Sequence, residues 1–297
     1  MKTKKFLLST VAAAVLGLGA TAANAVVTEF YFSQSAGLLD PIGDSNAGTF
    51  FDTTSGLTFV GMTVPTGGDP YPANTYSTMS WRGAAPNFLN PTNAPSTLSI
   101  NTFTSANNLE VFGNGDGLWE SGEHWIITQL AQVNNALTFA VGYQIVNPLW
   151  VADVAANLRI FSDEAMTNAV KEDLNSIATI AFNETFNAWG NVNRCTYDNP
   201  NNTACDDIYT VLTGDTFAPI WFMYGGTQYT LDFGLIPGEN AIVDLNANGL
   251  QIFTAESAPG YSDAYVTMAW RVPEPGSLAL VGAALVGLGF MRRNKKA

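Results

Sequence analysis

His124 is the only histidine in the chain, so any chemistry that needs an imidazole would have to use it. It sits in Asp116-Gly117-Leu118-Trp119-Glu120-Ser121-Gly122-Glu123-His124-Trp125, a run that also holds three acids and Ser121. A Ser-His-Asp arrangement can be drawn from these pieces. No Gly-x-Ser-x-Gly elbow accompanies them, however, and they lie too close together in sequence. A hydrogen-bonded histidine at a strand start is the plainer reading. Cleavage of a glycosidic bond needs two carboxylates placed across a sugar. Glu120 and Glu123 are the closest suggestive pair, but with 25 Asp and Glu in the chain nothing singles them out. No catalytic residue is assigned.

Oxygen ligands suggest a hard cation instead. In Asp244-Leu245-Asn246-Ala247-Asn248-Gly249, Asp244, Asn246 and Asn248 stand at alternate positions before a glycine. That is the first half of a calcium loop. The closing Glu of such a loop would fall at Ala255, and Glu256 comes one step late. Asn114-Gly115-Asp116 is a second oxygen-rich loop. Asn-Gly and Asp-Gly are also ordinary turn dipeptides, so a plain turn stands beside calcium as a reading of both. Calcium is the one cofactor the sequence suggests.

Cys195 and Cys205 are the only cysteines and flank a polar loop. In an exported protein a pair this close reads as a disulfide, worth about 3 kcal/mol through the shortened unfolded chain. The spacing is wrong for zinc, and no histidine is near. Seven tryptophans are scattered along the chain, and aromatics are core residues first. Trp119 and Trp189 lie in Gly- and Asn-rich segments and are the two expected at the surface, where they could stack on a sugar.

The elements that would carry these residues read as strands. Segments rich in β-branched and aromatic residues alternate with Gly, Asn, Asp and Pro clusters. Strands are expected at 26–34, 57–64, 75–82, 124–131, 136–147, 155–161, 176–183, 221–224, 227–235 and 264–272. The segment 163–174 is the one candidate helix, with Ser162 as its cap and Asp163 and Glu164 in its first turn. So many short strands predict a mainly β fold, a single β-sandwich-like domain over 26–272 with at most one short helix. Tyr76-Ser77-Thr78-Met79-Ser80-Trp81-Arg82 is echoed by Tyr265-Val266-Thr267-Met268-Ala269-Trp270-Arg271. Alternation places Met79 with Trp81, and Met268 with Trp270, on an inner face.

Charge excludes one large class of partner. Between residues 26 and 275, five Lys and Arg stand against 25 Asp and Glu, a surplus of twenty negative charges. Binding to nucleic acid needs clustered basic residues, so no nucleic acid is expected. Apolar residues make up 47% of the chain, enough for a sizeable core.

The remaining basic residues sit at the two ends. Lys2, Lys4 and Lys5 precede an apolar run at 6–20, and Ala23-Asn24-Ala25 gives a small-x-small cleavage site. This is the pattern of a secretory signal peptide over 1–25, with Ala23 and Ala25 at the cut and the Sec export machinery and signal peptidase as partners. At the other end Pro273-Glu274-Pro275 precedes an apolar run at 276–291 and the basic tail Arg292-Arg293-Asn294-Lys295-Lys296-Ala297. As a helix that run would span about 24 Å, short of the roughly 30 Å hydrocarbon core. The basic flank nevertheless fits a transmembrane helix with its tail on the cytoplasmic side.

These last residues, 273–297, resemble a PEP-CTERM sorting signal. The resemblance implies recognition of Pro273, Glu274 and Pro275 by a membrane enzyme, an exosortase. It also implies a Gram-negative bacterium that makes exopolysaccharide. The protein would pass through an inner-membrane intermediate to the cell surface or extracellular matrix. A second resemblance lies in the body. Phe182-Asn183-Glu184-Thr185-Phe186-Asn187, Cys195, and Cys205-Asp206-Asp207-Ile208-Tyr209 look like a block of the THxN family of PEP-CTERM proteins. Ala131-Gln132-Val133-Asn134 stands where that family carries its naming motif, with only the Asn kept. The function expected is that of an exported surface or biofilm-matrix component, structural or adhesive, with exopolysaccharide as a candidate partner. The alternative is a secreted carbohydrate-active enzyme or a calcium-dependent glycan-binding module.

Overall fold

The computed structural model describes residues 29–39, 58–62, 75–81, 94–106, 110–135, 150–185, 195, 199–203, 205–212, 217–246, 249–256 and 261–272. They form β1 (Tyr31–Leu39), β2 (Thr58–Met62), β3 (Thr75–Trp81), β4 (Ser96–Thr102), β5 (Glu110–Phe112), β6 (His124–Val133) and β7 (Trp150–Phe161). The second half supplies β8 (Ala169–Asn183), β9 (Asp207–Val211), β10 (Ile220–Tyr224), β11 (Thr227–Pro237), β12 (Ala241–Asn246), β13 (Gly249–Thr254) and β14 (Ser262–Arg271). They pair in one sheet in the order β10-β11-β14-β6-β4-β3-β1-β7-β8-β9-β13-β12, with β2 beside β3 and β5 beside β6. Every pairing is antiparallel. The expected strand at 57–64 corresponds to β2, that at 26–34 overlaps only the start of β1, which runs on to Leu39, and 136–147 lies outside the described residues.

Period-2 alternation gives this sheet one apolar face. Phe30, Phe32, Ala36 and Leu38 are buried along β1 and its lead-in, and Ala264, Met268 and Trp270 along β14. No described residue is helical, so no described helix covers that face, and the sheet covers itself. It curls until β12 and β13 touch β14, and β10 touches β8, strands far apart along the path. The mainly β expectation holds. The two layers of the expected sandwich are the two halves of one continuous curled sheet.

Two apolar clusters fill the ends of the curl. At one end Trp150 stacks on Phe182 with ring centroids 5.1 Å apart, Trp81 meets Trp150 edge-on at 5.2 Å, and Tyr209 lies 4.8 Å from Phe182. At the other, Phe30 packs edge-on to Tyr229 at 4.9 Å and to Trp270 at 5.0 Å, while Phe32 meets Trp119 at 5.3 Å. Such pairs contribute about 0.5–1.5 kcal/mol beyond their burial. The sequence echo is divided between the clusters: Met79 and Trp81 belong to the first, Met268 and Trp270 to the second.

A bulge adjusts the middle of the curl. Val266 pairs with Thr128 and Thr267 with Ile126, leaving Ile127 as the extra residue. Ile127 and Thr128 therefore both reach the interior, as a bulge permits and regular alternation does not.

The expected helix at 163–174 is corrected by the structure. Asp163 accepts hydrogen bonds from the Thr167 hydroxyl (2.6 Å), the Thr167 N–H (3.1 Å) and the Asn168 N–H (2.8 Å). Met166 takes a positive φ of 53°. The carboxylate expected in a first helical turn instead closes the connection between β7 and β8. From Ala169 onward the chain is held extended by the β7 ladder, in which Arg159 faces Glu172 and pairs with it at 3.2 Å. Tertiary pairing overrides local propensity here.

Phe182 touches Trp81, Trp150 and Tyr209. Phe182→Ala should cost about 3–5 kcal/mol of stability, read by denaturant unfolding. Met223→Ala, on an exposed position of β10, should stay within about 0.5 kcal/mol. Equal effects would mean that the aromatic cluster does not support the curl.

Candidate functional site

The residues that first suggested chemistry are distributed differently from their order in sequence. His124 opens β6 on the outer face, where Nδ1 lies 3.5 Å from the Thr267 hydroxyl and the ring meets Phe112 edge-on. Partial burial holds its pKa below the ordinary histidine value. Arg271 lowers it further, and Asp232 opposes the shift. Arg271 and Asp232 form an ion pair of 3.0 Å beside it. Ser121 is exposed in the preceding turn.

Glu123 faces loop backbone, and Glu120 faces the side chain of Asn114. Glu123 accepts from the N–H groups of Asn114 (3.1 Å) and Glu120 (2.9 Å), and Glu120 accepts from the Asn114 amide (3.2 Å). Glu110 accepts from the Gly115 N–H at 2.8 Å. Gly115 and Gly117 take positive φ, so loop 113–123 folds tightly around its own carboxylates. The expectation that Trp119 is exposed is corrected. It is buried under this loop, its Nε1 donating to the Glu123 carbonyl (3.1 Å) and its carbonyl accepting from Trp270 Nε1 (2.9 Å). Trp189 lies outside the described residues, as do Ala23, Ala25, Pro273, Glu274, Pro275 and the segment 276–291. Asp244 stands opposite Gln251, and Asn246 opposite Gly249, in the β12–β13 hairpin. Asn248 falls outside the described residues. Cys195 and Cys205 form the expected disulfide.

Three carboxylates do converge elsewhere. Glu184 follows β8, Asp207 opens β9 and Glu256 follows β13. They are 1%, 0% and 4% exposed, and one oxygen from each lies within 4.8 Å of the others. The Thr185 N–H donates to Asp207 Oδ1 at 2.8 Å. Asn134, just past β6, donates to the Ala255 carbonyl at 3.3 Å, and its side chain also reaches Asp207. Burial pushes the Asp207 carboxyl up to about 7, against the opposing hydrogen bonds from Thr185 and Asn134 and the contact with Glu184. Burial beside Asp207 and Glu184 raises the Tyr209 phenol as well.

The disulfide loop packs against this cluster. Asp206 accepts from the Asn201 N–H (2.8 Å) and the Thr203 hydroxyl (2.7 Å). The Thr203 hydroxyl oxygen accepts from the Glu256 N–H (3.1 Å), and the Asn201 amide donates to the Phe253 carbonyl (3.2 Å). Sequence reasoning noted Asn134, Glu184, Thr185 and Asp207 as parts of a family pattern but gave them no chemistry. The available signal was their shared polarity inside otherwise apolar strand ends. Only the strand order brings positions so far apart in sequence together.

Between the two aromatic clusters lies a cavity of about 620 Å³ lined mainly by apolar side chains, among them Ala36, Leu130, Val154, Leu235 and Val266. Gln34 and Thr128 contribute buried polar atoms and hydrogen-bond each other at 2.8 Å. Asp173, bonded to the Ser176 hydroxyl at 2.6 Å, is the one carboxylate among its described lining residues. Ser176, Ile177, Ala218 and Pro219 form an exposed rim.

Residues 271–294 match the family model of the PEP-CTERM protein-sorting motif. No curated protein and no solved structure matches the chain. The motif implies an exported protein, processed at the membrane through exosortase-dependent sorting.

His124 gives a clean titration because no second imidazole competes. Its folded pKa is lowered, so its contribution is neutral above the unfolded value of about 6.5. Below that value the unfolded chain binds the proton more readily. Stability should therefore fall as pH drops from about 7 through 5, and His124→Gln should remove that part of the slope. NMR titration of the lone imidazole should give a midpoint below about 6.5; a midpoint above it would reverse the sign.

Proposed function

We propose that this chain is a non-catalytic component of the bacterial cell surface or exopolysaccharide matrix, delivered there by exosortase processing. The observation that carries the reading is the position of the sorting motif. It begins at Arg271, the last residue of β14, so the folded body passes straight into the signal. Three features support a structural or adhesive role. Of the suggestive pair, Glu123 is engaged by loop N–H groups and Glu120 by the Asn114 side-chain amide. The large cavity is apolar where a glycosidase would need two facing carboxylates. Trp221 and Met223 lie 64% and 61% exposed on the outer face of β10, an aromatic surface that a polymer could contact. Asn134, Glu184, Thr185 and Asp207, which belong to the pattern that resembles the THxN family, meet in one place, which supports kinship of the body with that family.

The test is made in producing cells. Surface and medium fractions should contain a chain lacking 292–297. Glu274→Ala should retain the tail and leave the protein in the membrane fraction. Purified surface protein should co-sediment with host exopolysaccharide without releasing new reducing or unsaturated ends. Time-dependent release of such ends would overturn the non-catalytic reading, and an unprocessed tail at the surface would overturn the sorting step.

A further inference from the structure

We propose that Glu184, Asp207 and Glu256, together with Asn134, bind one calcium ion that clamps the curled sheet shut. Three carboxylates with oxygens no farther than 4.8 Å apart occupy the space that oxygens take around a calcium ion, whose ligands lie about 2.3–2.6 Å from the metal. Magnesium, with ligands at about 2.0–2.1 Å and strict octahedral demands, would need a tighter and partly hydrated site. Burial of several carboxylates in one place is costly unless something positive compensates them.

A second observation, independent of the acids, points to the same ligand. Asn134 is 4% exposed, and its amide nitrogen is used on the Ala255 carbonyl, yet its side-chain oxygen accepts no hydrogen bond. The buried Thr185 hydroxyl, next to Glu184, is likewise without a partner. Neutral amide and hydroxyl oxygens left over beside carboxylates are what a hard cation uses to complete its shell. Softer metals are disfavoured by the donor set. Both cysteines are in the disulfide, and His124 lies on the outer face near Thr267 and Arg271.

The topology gives the ion a mechanical role. Glu184, Asp207 and Glu256 come from the ends of β8, β9 and β13, neighbours in one half of the sheet, whereas Asn134 comes from β6 in the other half. Coordination would tie the two halves across the curl. It would also fix the disulfide loop, which is bonded to β13 and to the Glu256 N–H. This site is distinct from the hairpin that carries Asp244 and Asn246.

The full chain purified from the producing membrane, stripped with chelator and dialysed against calcium chloride, should take up about one ion. With calcium near 100 times its Kd, the melting midpoint should rise by roughly 5–10 °C. Equal magnesium should give a smaller rise. Glu256→Gln and Glu184→Gln should weaken calcium uptake at least tenfold, while Asp244→Asn should leave it unchanged. Should the cluster variants fail to fold, the wild-type chain decides alone. Terbium(III) should show emission sensitised through Tyr209 and displaced by calcium. Absence of saturable calcium uptake up to about 10 mM, beyond the range of extracellular calcium modules, would overturn the proposal. Uptake lost in Asp244→Asn but kept in the cluster variants would do the same.

Discussion

A sheet that is apolar on one face must find something to lay that face against. In the described residues of this protein the only cover is the sheet itself. That constraint explains the rest of the architecture. The path from β10 to β12 is too long to stay flat, since strands twist cumulatively, and twisting brings its two halves face to face. The aromatic residues then take their places. Trp81, Trp150, Phe182 and Tyr209 come from strands β3, β7, β8 and β9 and meet at one end. Phe30, Tyr229 and Trp270 come from the β1, β11 and β14 regions and meet at the other. In the first cluster Trp150, Phe182 and Tyr209 stand opposite one another on adjacent strands, whereas the second joins the β1 lead-in to β11 and β14, strands that only the curl brings together.

The same closure forces polar groups inside. Strand ends in a curled sheet lie beneath the opposite layer, so Asn134, Glu184, Asp207 and Glu256 are buried by topology. The body handles its other carboxylates differently. Asp206 and Glu123 are also buried, but each accepts hydrogen bonds from neighbouring N–H or O–H groups. These bonds offset the cost of leaving water. In the Asp207 cluster the Thr185 N–H also donates to Asp207, yet three acids converge there, and the Asp207 carboxyl is raised to about 7 by burial. This contrast separates carboxylates that organise a loop from carboxylates gathered around a point.

Much of the strand content was legible in the sequence because period-2 alternation is local. β3, β6, β10, β11 and β14 lie close to their expected positions, and the inner faces of the Met-x-Trp echoes are as alternation requires. The segments not anticipated were β4, β5, β9, β12 and β13. Ser96-Thr97-Leu98-Ser99-Ile100-Asn101-Thr102 is too polar to stand out alone; its inner Leu98 and Ile100 are strand residues only because β3 and β6 flank it. Asp207-Ile208-Tyr209-Thr210-Val211 follows the disulfide loop and is buried on both faces at its start, so it lacks the clean alternation of a half-exposed strand. The segment at 163–174 read as a helix because its acidic start mimics a cap, while the ladder with β7 is invisible locally. Trp119 read as exposed because its Gly-rich surroundings suggest a surface loop. The Glu110 and Glu123 carboxylates, folded under backbone N–H groups, make that loop compact enough to bury it. The cluster at Asp207 was illegible in principle, since its members are close only through the strand order.

The way the chain leaves the body bears on how sorting and folding coexist. β14 lies between β11 and β6, with ladder bonds on both sides, and its last residue is the first of the sorting motif. Beside that exit, Trp270 is buried against Phe30 and Tyr229, and Arg271 pairs with Asp232 of β11. The signal therefore hangs from an interior strand rather than from a fraying edge. β14 is paired with β6 from Ser262 to Met268 and with β11 from Ala264 to Arg271, so load applied beyond Val272 is first met by the β11 ladder and the buried Trp270. A signal attached to β10 or β12, each paired on one side in the described sheet, would transmit the same load to a strand with a single neighbour.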